Sequence, residues 1–157
     1  MTEQQSKAFF TADSLKRLIA SEGKVLKGVI VFFWQNSINK NDVVELIDHL
    51  QFVFTDGYKL TLGCNEDNSG ILAVDYDFEV EKKALADEFG DKIKLIPINA
   101  SPTKMWKEVE GLKLESVQLT KDGDYYLSDS VVFNFGAERR IVSISPADGL
   151  IIDFFEE

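Results

Sequence analysis

The chain has 157 residues, 45% of them hydrophobic and twelve of them Phe, with a formal charge of −10. That composition supplies a folded core and excludes a disordered polyelectrolyte. One cysteine, Cys64, excludes an intramolecular disulfide and a multi-thiolate metal site. The acidity repels nucleic-acid phosphate and anionic lipid, and no stretch approaches the roughly 20 apolar residues of a membrane span, so the expectation is a cytoplasmic protein with neither partner.

In chain order, Thr11 or Asp13 is placed to cap a helix bearing Leu15, Leu18 and Ile19, with Gly23 at its left-handed C-terminal end. A β-branched and aromatic run over 25–34 predicts a strand that ends at Trp34. An Asn-rich loop follows, containing Asn36 and Asn39. Residues 44–54 alternate Val44, Leu46, Leu50, Phe52 and Phe54 on one face, interrupted at Asp48. The expectation there is a strand bulged or broken at the aspartate, with His49 on the wet face. Asp56-Gly57 signals a hairpin into 58–63, and 71–76 reads as a closing strand. Residues 78–89 look helical, with Gly90 as cap, and 92–98 reads as an edge strand carrying Pro97. Ser101 and Pro102 then open a third helix carrying Met105, Trp106 and Val109, before Gly111. Strands are expected over 112–120, 125–135, 140–145 and 150–155, with a turn at Lys121-Asp122-Gly123-Asp124.

Residues 22–31, 44–54 and 70–76 read in order against 110–119, 125–135 and 149–154, with Phe52/Phe133 and Phe54/Phe135 among the matches. The expected fold class is therefore α+β. It is a tandem duplication of a helix plus a four-stranded antiparallel meander, merged into one pseudo-twofold domain over 1–157. The units span 12–78 and 102–157, and a helix-strand connector over 79–101 joins them. The aromatic residues Phe52, Phe54, Phe133, Phe135, Phe154 and Phe155 are expected in its core. Residues 22–79 and 110–157 each hold ten acidic and four basic residues, a net −6 apiece, so the acidity belongs to both units.

No phosphate loop, nucleophile elbow or paired Cys motif is present, and His49 is the only histidine, which excludes a His-based metal cluster. No cofactor is expected. Residues 65–70 place oxygen side chains before a Gly like the start of a calcium loop, but Tyr76 stands where such a loop needs its bidentate Glu, so a polar turn is the better reading. Glu138-Arg139-Arg140 reads as ordinary surface in a turn. Cys64 reads as a structural thiol, its acidic neighbourhood raising its pKa.

Asp48 and Asp129 interrupt corresponding apolar runs, and as a buried pair they would be the catalytic candidates of a hydrolase or lyase; an Asx turn or bulge is the simpler role for each. Trp34 with Asn36 and Asn39 forms a candidate partner contact, an aromatic beside an adaptable polar loop. Asp75 and Asp153 also correspond and join the binding candidates. The leading functional expectation is an acidic protein-binding module, of the inhibitor, immunity-type or regulatory kind, for a basic protein partner. The alternatives are the carboxylate enzyme and a carrier of a small apolar ligand.

Overall fold

A computed structural model describes residues 8–65, 69–145 and 149–154. Helix α1 (Ala12–Ser21) is followed by β1 (Leu26–Asn36), β2 (Val44–Phe54), β3 (Lys59–Cys64) and β4 (Ile71–Val74). Helix α2 (Phe78–Phe89), β5 (Ile93–Asn99) and the single turn α3 (Lys104–Lys107) come next. The chain then forms β6 (Ser116–Gln118), β7 (Lys121–Asp122), β8 (Tyr125–Tyr126), β9 (Ser130–Phe135), β10 (Glu138–Ser145) and β11 (Gly149–Phe154). No helix among the described residues is long and apolar enough to cross a membrane.

Nine of these strands form one curled mixed sheet, and β7 and β8 make a separate small hairpin. β2 is its hub. Along one edge it pairs antiparallel with β1, which in turn carries β5. Along the other edge residues 49–53 pair antiparallel with β3, while Ile47 alone meets Gly149 of β11 in a parallel bridge. The sheet continues from β3 to β4 in one direction and through β11, β10, β9 and β6 in the other. It is drawn round by backbone bonds between its distant parts: Leu26 N–H donates to the Leu112 carbonyl at 2.9 Å, and Ile71 N–H to the Ser128 carbonyl at 2.8 Å.

This corrects the expected fold class. The described residues are mostly β, with three helices of 10, 12 and 4 residues among them, and do not form a duplicated helix plus four-stranded meander. β6 has three residues where β1 has eleven, β5 extends the first group of strands, and the β7–β8 hairpin has no counterpart there. The physical reason is that a Gly at a left-handed turn and Phe at alternate strand positions are what any capped turn and buried strand select, whatever the topology.

One hydrophobic core draws on both ends of the chain. Phe52, Phe54, Phe133 and Phe135 are all buried, and the Phe52 ring meets Phe133 at 4.9 Å and Trp106 at 5.4 Å between centroids. Phe155 lies outside the described residues, and Phe154 pairs with Arg140 at the end of β11. α1 enters this core through Leu18, while Ile19, expected beside it, is 61% exposed. Ser14 takes the inward place instead, accepting from Ala73 N–H at 3.1 Å, so α1 is fastened to β4 by a polar contact. Ser101 does not cap α3; its hydroxyl accepts from Val29 N–H at 2.9 Å, and Thr103 occupies the cap position.

Arg140 overturns its surface assignment. It is fully buried, its Nε donating to the Met105 carbonyl at 2.8 Å and its Nη1 to the Arg139 carbonyl at 2.9 Å, with Glu138 at 3.2 Å. A guanidinium can be buried only where acceptors surround it, and here they tie α3 to β10.

Candidate functional site

The place where β3 and β11 part from β2 is a natural cleft. β3 leaves β2 at His49 and β11 touches it only at Ile47, so residues 44–46 of β2 pair with neither. A pocket of about 350 Å³ lies at this junction. Trp34 of β1 and Leu46 and Ile47 of β2 give it apolar walls. Asp48 and His49 add polar groups, and Cys64, Asn65 and Gly149 line it from the ends of β3 and β11.

Local sequence explains the arrangement. The register passes from Phe32 opposite His49 to Phe33 opposite Ile47, so Asp48 is the extra residue of a bulge. A bulge re-aims the side chains on either side of it, and here Trp34 pairs with Leu46 while Phe33 pairs with Ile47 and turns towards the core. The Asp48 carboxylate, with 32% of its side chain exposed, accepts through Oδ2 from His49 Nδ1 at 2.5 Å. Its Oδ1 has no hydrogen-bond partner among the described residues. The imidazole lies against the Tyr76 ring at 4.2 Å and over Gly63, where an added Cβ would come within 2.5 Å of Nε2. Only glycine at position 63 lets the histidine lie down in this way.

Cys64 is half-buried, and desolvation, with the Asp48 charge behind it, pushes its thiol up to about 11. The Tyr76 phenol is raised by the same two causes, with Glu81 adding to them. A thiol so held is protonated at neutral pH and is a poor nucleophile.

The other expected residues are placed as follows. Asp129 is exposed just before β9, where its backbone carbonyl accepts from Ile144 N–H at 3.2 Å. No hydrogen bond or ion pair among the described residues joins it to Asp48, and it is not among the residues lining the pocket. Asn36 Oδ1 accepts from Ile38 N–H at 3.0 Å and Asn39 Oδ1 from Asn41 N–H at 3.1 Å, two Asx turns that shape the β1–β2 loop. Asp75 is exposed and gripped by Arg17 through bonds of 2.5 and 3.2 Å, which hold its carboxyl below the ordinary value. Asp77 caps α2, and Asp153 is exposed on β11 opposite Ile141. Asn65 accepts from Ser69 and Gly70 N–H groups at 2.8 and 3.1 Å, a polar turn, and residues 66–68 lie outside the described residues. Among the described residues no group of three or more His, Cys, Asp or Glu is arranged to hold a metal.

Of the sequence candidates, the structure brings Trp34 and Asp48 together. His49, Leu46 and Gly149 were not anticipated as neighbours of theirs. The signal for His49 was its position beside the one polar break in an apolar strand; nothing in the sequence marks Gly149, whose place depends on pairing across about a hundred residues. Comparison of the chain with protein-family models, with curated proteins and with solved structures gives no match.

Proposed function

We propose that this chain is an acidic protein-binding module that holds a basic partner, in the manner of inhibitors, immunity-type proteins and regulatory subunits, through the end of the β1–β2 hairpin. One observation carries the reading. Ile38, Val43 and Val44 are 55%, 51% and 41% exposed on that hairpin, whose strands also carry Trp34 and Leu46 of the pocket. Large exposed apolar side chains on a hairpin that also lines a concave site are usual marks of an interaction surface. The net charge of −10 supplies long-range attraction and faster encounter for a partner of opposite sign. The reading puts the chain in the cytoplasm, where the single thiol of Cys64 stays reduced.

The test is a photo-crosslinking residue placed at Val43, with a control at the exposed Asp124 of the β7–β8 turn. The module reading expects a discrete adduct with a basic protein at position 43 alone. That protein, once purified, should bind less tightly as salt rises and should lose about tenfold in affinity or more to Val43→Asp. Equal adducts at both positions, or none at 43, would refute it.

A further inference from the structure

The Asp48 carboxylate meets no Lys or Arg among the described residues, unlike several carboxylates of the molecule. Asp13 and Asp75 meet Arg17, and Asp56 meets Lys24. Asp48 has only the imidazole of His49 on one oxygen, and its Oδ1 is without a hydrogen-bond partner among the described residues. No Lys or Arg stands among the residues lining the pocket. The carboxylate is two-thirds covered, so its field is weakly screened, and both Cys64 and Tyr76 respond to it. Beside it are an indole, from Trp34, and the aliphatic side chain of Leu46.

We propose that this pocket receives an arginine side chain of the partner, an inference that rests on the protein-binding reading and names its anchor. The aliphatic stem of an arginine suits the Leu46 and Trp34 walls, and its guanidinium suits an aromatic face and a carboxylate oxygen that still has lone pairs to offer. Lysine fits less well, because its ammonium is a compact, strongly hydrated point charge that loses more on leaving water and does not stack on an indole. An anionic or purely apolar anchor would leave the Asp48 oxygen desolvated with nothing to accept from.

Dye-labelled five-residue peptides test this by fluorescence polarisation against the full chain. One has a single central arginine flanked by leucines; its counterparts carry lysine, leucine or glutamate at the centre. The arginine peptide should bind about tenfold more tightly than the leucine peptide, the lysine peptide should fall between them, and the glutamate peptide should not bind. Trp34→Ala and Asp48→Asn should each weaken the arginine peptide about fivefold or more, with little change for the leucine peptide in Asp48→Asn. Asp48→Asn keeps an oxygen for His49, and an unchanged urea midpoint confirms that its bulge survives; Trp34→Phe, which keeps an aromatic face, should restore much of the binding. Leucine or lysine binding as tightly as arginine would overturn the inference. So would arginine binding indifferent to Asp48→Asn, or no binding by any peptide at about 1 mM chain, a concentration that reveals even contacts of about 4 kcal/mol. A specific adduct at Val43 together with any of these results would leave the module reading standing and the arginine anchor refuted.

Discussion

Cys64 gives a residue-scale consequence that needs no partner. Its pKa is raised from 9.0 to about 11, first by desolvation and then by Asp48. The folded state thus favours the protonated thiol more than the unfolded chain does. The stability this contributes is complete below pH 9 and is lost as pH rises towards 11. At pH 8 the native thiolate fraction is well below that of an ordinary thiol, and even allowing for the greater nucleophilicity of a high-pKa thiolate, iodoacetamide should alkylate native protein at least about tenfold more slowly than urea-unfolded protein. Comparable rates would show that Asp48 and the pocket wall do not shield the sulfur. The direction agrees with the sequence reading, but its causes, burial first and then Asp48, are not the chain neighbours on which that reading relied. The burial of Arg140 was not legible in the sequence, because its acceptors include the Met105 carbonyl, 35 residues away in sequence, and side-chain type alone predicts an exposed arginine.

At the scale of elements, the junction between β2 and β11 is a single bridge at Ile47 and Gly149. Gly149 has φ 75°, and a Cβ there would lie 3.3 Å from the Ile47 carbonyl oxygen. Gly149→Ala therefore meets both the left-handed backbone penalty and the facing strand, and should cost about 1–2 kcal/mol, read as a lower urea midpoint. A variant within about 0.3 kcal/mol of the parent would mean that the bridge is not a structural constraint. Local chemistry made many elements readable. Asp56-Gly57 turns β2 into β3 with Gly57 at φ 91°, the helix over 78–89 stops at Gly90, and the bulge falls at Asp48. Where a segment lacked such punctuation, alternation misled. Residues 112–120 yield only the three-residue β6, because 112–115 instead exchange backbone bonds with 23–26 and with Asn134.

For the whole molecule, the decisive facts are long-range pairings. Strands β1 and β4 bond to chain segments that precede β6 and β9, and the pocket exists because two strands leave a third at nearby points. Repeated Gly and Phe spacings suggested two equal units, but strand order in a mixed sheet is set by which edges find partners, and residue spacing does not encode that. The candidate site was half legible for the same reason. Trp34 and Asp48 stood out as an aromatic before a loop and a polar break in a strand, and only the folded sheet places them in one pocket. The proposed arginine anchor depends on that pocket. The most direct measurement is a titration of ¹⁵N-labelled chain with the arginine pentapeptide, followed by amide and indole shifts. The account predicts that the Trp34 indole signal and the amides of Leu46, Asp48, His49, Cys64 and Gly149 move together and saturably, while the indole of the buried Trp106 stays still. Shifts scattered over exposed acidic positions such as Asp129 and Asp153, with the Trp34 indole unmoved, would contradict it.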